Sequence, residues 1–67
     1  MIQLTKLNKK IFLLNDDLIE TIESTPDTVI TLRNGKIYIV AESPEEIAVL
    51  ITSFRRNLYA ELLGAKS

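Results

Sequence analysis

An asparagine–glycine pair at Asn34–Gly35, set between two apolar segments, is the feature that most constrains the fold of this chain. A tight two-residue β-turn of type I′ needs positive φ angles at both positions, and asparagine and glycine adopt these angles most readily. The residues on both sides are rich in valine, isoleucine, threonine and tyrosine, which favour strands. The sequence therefore predicts an antiparallel hairpin over residues 29–40.

The same turn predicts which side chains of the hairpin share a face. A two-residue loop places Leu32 opposite Ile37, and the alternation of side chains along a strand then assigns every other residue. Tyr38 is expected on the outer face, where it lies opposite Thr31. The predicted core face consists of Ile30, Leu32, Ile37 and Ile39.

The first fourteen residues predict another hairpin, which turns at Asn8–Lys9. Asparagine tolerates the left-handed region, whereas lysine adopts it less willingly than glycine does. In this register one face carries Ile2, Leu4, Ile11 and Leu13, and the other carries Leu7, Phe12 and Leu14. Two apolar faces are unusual for an antiparallel sheet with one side in water. We therefore expect a partner to cover the second face.

The segment between the hairpins is less regular. Leu18 and Ile22 share a strand face and Ile19 opposes them, which indicates a strand that contains a bulge. A short helical turn that starts at Asp16 or Asp17 is the alternative. Pro26 and Asp27 then predict a turn into the next strand, because proline presets φ and aspartate bonds back to the backbone.

The hydrophobic period changes to that of a helix after Ser43. Ser43, Pro44 and Glu46 form the pattern of an N-cap, a first helical residue and a capping box. Apolar residues then recur at helical spacing at Ile47, Leu50, Ile51, Phe54, Leu58 and Leu62. The helix is expected to end near Leu63, because Gly64 is a plausible stop.

We therefore expect one α+β domain over residues 1–67, a small bent antiparallel sheet of four or five strands with one long C-terminal helix. A helix of this length spans roughly 30 Å, whereas a six-residue strand covers roughly 20 Å. The end of the helix should then extend beyond the sheet, and its apolar side chains would be exposed. These side chains are Leu58, Tyr59, Leu62 and Leu63.

Self-association is the expected consequence. A chain of 67 residues buries a small core, and such chains are often stabilised by disulfides, metals or a second subunit. Cysteine and histidine are absent, which argues against the first two. The predicted contact surface of the homo-oligomer consists of Leu7, Phe12, Leu14, Tyr38, Leu58, Tyr59, Leu62 and Leu63.

The sequence offers little for catalysis. Without cysteine or histidine, the usual nucleophilic dyads and zinc sites are excluded, and we expect no enzyme activity, cofactor or metal. Asp16 and Asp17 are interpreted as turn or cap residues and not as metal ligands. Arg55 and Arg56 could contact phosphate or an acidic partner, but a solvated helix face is the preferred interpretation. The formal charge of −1 argues against nucleic-acid binding.

Neither a signal peptide nor a membrane span is expected. The N-terminus lacks a basic stretch followed by an apolar run, and no apolar run approaches the roughly 18 residues that span a bilayer. We therefore expect a cytoplasmic protein, which a motor partner could hold at the inner face of the membrane.

The ordered combination of several short motifs resembles the small flagellar FlbD family, also called the swarming motility protein SwrD family. In chain order, these motifs are Leu7-Asn8, Phe12 with Leu14-Asn15, Asp17 with Ile19-Glu20 and Ile22-Glu23, Thr25-Pro26-Asp27-Thr28, and Gly35-Lys36 with Tyr38 and Val40. Lys9 departs from the family pattern, which usually has glycine there. The resemblance implies a bacterial protein of flagellar motility that supports motor power through the stator. It implies no catalytic or binding residues.

Residues 17–47 also resemble, more loosely, the strand-rich half of LytTR DNA-binding domains, in which a similar hairpin leads into a helix. The alternative function is therefore a small nucleic-acid-binding module. Such modules need basic loops to neutralise phosphates. The predicted turns and strands offer only Lys6, Lys9, Lys10, Arg33 and Lys36.

Overall fold

The computed structural model describes residues 1–64, which form five strands and one long helix. The strands are β1 (Ile2–Thr5), β2 (Ile11–Leu14), β3 (Ile19–Ser24), β4 (Thr28–Leu32) and β5 (Ile37–Val40), and the helix is α1 (Pro44–Leu62). A 3₁₀ turn at Asp16–Leu18 precedes β3. The predicted α+β class is confirmed.

The strands form two antiparallel sheets, so the expectation of a single bent sheet is wrong. One sheet pairs β1 with β2, and the other has the order β3-β4-β5. The sheets meet where β1 ends, through an isolated bridge between Lys6 and Val40. There the Ala41 N–H donates to the Thr5 carbonyl oxygen at 2.8 Å. This junction holds the start of the helix against the first hairpin.

The loop between β4 and β5 contains three residues and not the two that Asn34–Gly35 predicts. The Gly35 N–H donates to the Leu32 carbonyl at 2.9 Å, and the Leu32 N–H donates to the Lys36 carbonyl at 2.8 Å. Gly35 has a φ of +89°, and the loop matches a type I turn followed by one left-handed residue. The longer loop shifts the pairing by one residue, so that Thr31, and not Leu32, lies opposite Ile37.

This shift exchanges the two faces of β5, because side chains alternate along a strand. Ile37 and Ile39 are 61% and 45% exposed, so their predicted place in the core is wrong. Val40 is buried instead, and Tyr38 packs against the core cluster. The β4 side of the prediction is confirmed, since Ile30 and Leu32 are buried.

The first hairpin differs from its prediction in the same way. Phe12, and not Leu13, lies opposite Leu4. The loop again has three residues, because the Lys6 N–H donates to the Lys10 carbonyl at 2.8 Å. Lys9 takes the left-handed position, with a φ of +72°.

The two hairpins are built from one repeated pattern. Residues 8–14 read NKKIFLL and residues 34–40 read NGKIYIV. In both loops the asparagine side chain accepts a hydrogen bond at 3.0 Å from the N–H two residues later. Strands β2 and β5 also share one order of exposure: exposed, half-buried, exposed, buried. The same local chemistry therefore sets the register of both hairpins.

The bulge expected before Pro26 is present, and so is the short helical turn that was its alternative. The pairing of β3 with β4 shifts between Ile19 and Thr21. Because a bulge resets the alternation, Ile19 and Ile22 both pack against the core, whereas Leu18 is 41% exposed.

The core lies between the two sheets and the first half of α1. Its buried members are Ile2, Leu4, Leu14, Ile30, Leu32, Val40 and Ile47. The predicted capping box is present, with the Glu46 N–H donating to Ser43 Oγ and the Ser43 N–H donating to Glu46 Oε1. Gly64, with a φ of +72°, follows the end of the helix. Helix α1 therefore has the boundaries that its sequence predicts.

Candidate functional site

Five of the residues predicted to form a contact surface are exposed. Leu7 lies in the first loop and is 55% exposed, and the other four lie at the end of α1. These are Leu58, Tyr59, Leu62 and Leu63, with exposed fractions of 45%, 64%, 75% and 66%. The surface therefore divides into one loop residue and one helix end.

Leu14 does not belong to any surface. It is 5% exposed and lies in the core cluster. Its predicted outward position depended on a two-residue loop at Asn8–Lys9. The observed three-residue loop turns Leu14 inward, so this prediction is wrong.

Phe12 and Tyr38 form one aromatic pair, and neither stands on an open outer face as predicted. Their ring centroids are 5.1 Å apart with an interplanar angle of 29°. Lys6 Nζ lies 5.4 Å from the centroid of the Phe12 ring. Because β2 and β5 belong to different sheets, this pair connects the sheets.

Four exposed side chains form the outer strand set. They are Ile11, Leu13, Ile37 and Ile39, with exposed fractions of 63%, 65%, 61% and 45%. Two of them, Ile37 and Ile39, were predicted to lie in the core, and the other two, Ile11 and Leu13, were predicted to share a face with Ile2 and Leu4. The repeated pattern of residues 8–14 and 34–40 is the signal that could have found them. The repeat predicts that equivalent residues of β2 and β5 lie on equivalent faces. The presence of lysine and not glycine at Lys9 argues against a type I′ turn there.

The end of α1 extends beyond the sheets, as expected. Along one face of the helix, Ile47 is fully buried, Phe54 is half-buried and Leu62 is 75% exposed. The face remains apolar along its whole length. Its residues become exposed because the sheets end before the helix does.

A buried carboxylate ties the middle of α1 to the 3₁₀ turn. The side chain of Asp16 is 3% exposed, and it accepts hydrogen bonds at 3.1 Å from the Met1 amino group and from Arg55 Nε. Arg55 Nη2 also donates to Asp17 Oδ1 at 2.8 Å. The Arg55 side chain is 57% exposed, which agrees with the expected solvated face, but its guanidinium group is ion-paired within the chain.

Burial alone would raise the pKa of Asp16. The hydrogen bonds from the Met1 amino group and Arg55 outweigh this effect, so the pKa of Asp16 lies below its ordinary value of 3.8. Asp16 is therefore ionised at neutral pH and holds the helix. It is not poised as a general acid.

A second carboxylate, Glu42, ties the start of α1 to β1. Glu42 Oε1 accepts from the Thr5 N–H at 2.9 Å, and Oε2 accepts from the Thr5 hydroxyl at 2.8 Å. Burial alone would raise the pKa of Glu42. The two hydrogen bonds from Thr5 have the larger effect, so the pKa of Glu42 lies below its ordinary value of 4.5. Both perturbed carboxylates therefore have structural partners.

Two of the shallow grooves along α1 contain one of these carboxylates each. One, of about 410 Å³, lies under the helix and is lined by Met1, Asn15, Asp16, Asp17, Phe54, Arg55 and Leu58. The other, of about 520 Å³, is lined by Gln3, Glu42, Glu45, Glu46, Val49 and Leu50. In the second groove Glu42 binds Thr5 and Glu46 closes the capping box. Neither groove brings together free groups that could perform acid–base chemistry.

Within residues 1–64, no three side chains of the metal-binding types lie together as a ligand cluster. In the same part of the chain, no helix is both long enough and apolar enough to cross a membrane. What the surface offers instead is exposed apolar area on two edge strands and at one helix end. Exposed apolar area of this extent is typical of protein interaction sites.

Comparison with known protein families gives a match. A family model described as FlbD, flagellar and swarming motility proteins, matches residues 1–59. This segment covers all five strands and α1 as far as Tyr59. No curated protein and no solved structure matches the chain. Because the family model spans most of its 67 residues, the chain belongs to the FlbD family of flagellar and swarming motility proteins.

Proposed function

We propose that this protein supports the bacterial flagellar motor by direct contact with a motor or stator protein. The observation that carries the proposal is the match of the FlbD family over residues 1–59. The protein acts without catalysis, as a small accessory subunit. The contact holds it in the cytoplasm, at the inner face of the membrane.

The outer strand set (Ile11, Leu13, Ile37 and Ile39) is the proposed contact surface for this partner. Each of its side chains is at least 45% exposed, and together they lie on two strands that edge their sheets. Edge strands with apolar outer side chains bind other chains readily, since they offer both unpaired backbone groups and area to bury. Both strands lie within the segment that the family shares.

Chemistry supports a binding role over an enzymatic one. The two carboxylates with perturbed pKa values, Asp16 and Glu42, bond to Arg55 and Thr5. The chain has no cysteine or histidine that could act as a nucleophile or base near pH 7.

Affinity purification from motile cells tests the proposal. A tagged protein, expressed in a strain that lacks the native gene, should recover motor or stator components. The double variant Leu13→Thr/Ile37→Thr should lose them, because threonine keeps the strand preference but removes most of the apolar area. The matched control is Gln3→Thr, since Gln3 lies opposite Leu13 in the sheet and is polar already.

Recovery of no motor component by the wild type would overturn the proposal. Equal recovery by the wild type and the double variant would overturn the assigned surface. Retention of generic duplex DNA with a steep salt dependence would favour the nucleic-acid-binding alternative.

A further inference from the structure

We propose that the overhanging end of α1 packs against the same helix of a second copy as an antiparallel pair centred on Leu58, so that residues 58–62 of each copy lie along residues 54–58 of the other. The pair is symmetric, with Leu58 of each copy at the two-fold axis. This interface is separate from the outer strand set, and it does not depend on the proposed function.

The first observation is the continuity of one helix face. The apolar residues of this face follow one another at steps of three or four, so that they form a single stripe. In chain order they are Ile47, Ile51, Phe54, Leu58 and Leu62. The first three pack in or against the core, whereas the last two are 45% and 75% exposed. The stripe therefore packs against the sheets of its own chain at one end, whereas at the other end no part of the described chain covers it.

The second observation is the groove under the helix at this point. Met1, Phe54 and Leu58 contribute its apolar lining, and the Arg55–Asp16–Asp17 ion pairs form its polar wall. In an antiparallel pair centred on Leu58, Leu62 of each copy lies at the level of Phe54 of the other. Each groove thus receives a leucine from the other copy, which makes the surface self-complementary, as a two-fold interface requires.

The third observation is the area available. The chain exposes 5090 Å², whereas a compact monomer of 7.6 kDa would expose about 4300 Å². The excess is about 800 Å² for the chain as a whole, and one partner contributes about this area to an interface of standard size. The chain therefore exposes enough area to accommodate a second copy.

Charge favours the antiparallel orientation over the parallel one. Residues 57–60 carry no charge, and this neutral stretch is flanked by Arg55 and Arg56 on one side and by Glu61 on the other. An antiparallel pair brings the basic end of one segment beside the acidic end of the other, within the screening distance of about 10 Å. A parallel pair would place like charges side by side and align the two helix dipoles.

Sedimentation equilibrium tests the pair. From micromolar to millimolar concentration the wild type should shift to twice the mass of 7.6 kDa, and Leu62→Glu should remain monomeric. Val49→Glu is the matched control, because Val49 is 65% exposed on the same helix but lies nine residues before Leu58, on the opposite face. A monomeric wild type over the whole range, or equal loss of the dimer in both variants, would overturn the proposal.

Single cysteines test the orientation, since the chain has no cysteine of its own. In the antiparallel pair the two Leu58 positions face each other, about 5 Å apart between Cα atoms, which suits a disulfide. The two Leu62 positions are about 12 Å apart along the axis. Leu58→Cys should therefore cross-link on oxidation, and Leu62→Cys should not. Efficient cross-linking of Leu62→Cys, or none of Leu58→Cys, would overturn the antiparallel arrangement.

Discussion

Phe12 and Tyr38 occupy equivalent positions in the two repeated hairpins and stack on each other, with ring centroids 5.1 Å apart. In each strand, the residues directly before and after the aromatic residue point outward. The pair therefore fixes how the two-stranded sheet packs on the three-stranded one. It also depends on the observed register, because the register expected from a type I′ turn would place both rings on outer faces.

Replacement of either ring should therefore cost stability. Phe12→Ala is expected to lower the free energy of unfolding by about 2 kcal/mol, since the ring is half-buried and loses both its core contacts and its stacking partner. Leu13→Ala is the control, because Leu13 is the next residue and is 65% exposed; its effect should stay within about 0.5 kcal/mol. Urea denaturation measures both. A larger effect of Leu13→Ala would contradict the register.

Lys9→Gly should stabilise the protein. Lys9 has a φ of +72°. A residue with a side chain in this region is strained by about 1–2 kcal/mol, which glycine would relieve. Part of this gain is offset because glycine has more conformational freedom in the unfolded chain. We expect a net gain of about 0.5–1 kcal/mol by thermal or urea denaturation. Lys10→Gly is the control, because Lys10 is the next lysine and does not have a positive φ. This replacement should destabilise the protein. A loss of stability in Lys9→Gly would refute this interpretation of the loop.

The contribution of Asp16 should depend on pH. The pKa of Asp16 is lower in the folded protein than its ordinary value of 3.8, so the stabilisation is present above that value and is lost as the pH falls through the folded pKa. Asp16→Asn should therefore cost about 1–3 kcal/mol at pH 7 and less at acid pH, as the pH falls toward the folded pKa.

Asp17→Asn is the matched control for this measurement. Asp17 accepts from the same arginine, but its side chain is 77% exposed, so that solvent screens the pair. Its replacement should change the unfolding free energy little at either pH. A penalty for Asp16→Asn that is independent of pH would show that the charge of Asp16 is not what stabilises the fold.

The bond between Thr5 and Glu42 should stabilise the junction of the first hairpin with α1. Thr5→Val keeps the shape of the side chain but removes the hydroxyl that donates to Glu42 at 2.8 Å, and we expect a loss of about 1 kcal/mol. Thr31 occupies the equivalent position in the second hairpin and makes no such bond to Glu42. Thr31→Val should therefore have little effect in the same denaturation series, and equal losses would argue against the junction.

The sequence predicts the helix well because its signals are local. Ser43 and Glu46 lie within one turn of each other, and the apolar spacing that follows has one period. The positions of the strands and the bulge near Ile19 also follow from neighbouring residues. For these elements, short-range chemistry is sufficient.

The register and the candidate surface were harder to predict. Asn34–Gly35 suits both a type I′ turn and a type I turn with a left-handed residue after it, and the two differ by one residue. That single residue exchanges Ile37 with Tyr38 between solvent and core. The ion pair between Asp16 and Arg55 joins residues 39 positions apart, so no local pattern indicates it.

The most direct test of the proposed function is the torque of single motors under load, measured by the rotation of a bead attached to a flagellum. A strain that lacks this protein should assemble flagella but rotate the bead with reduced torque. The wild-type gene should restore the torque, whereas Leu13→Thr/Ile37→Thr should not and Gln3→Thr should. Unchanged torque in the deletion strain would contradict a role at the motor.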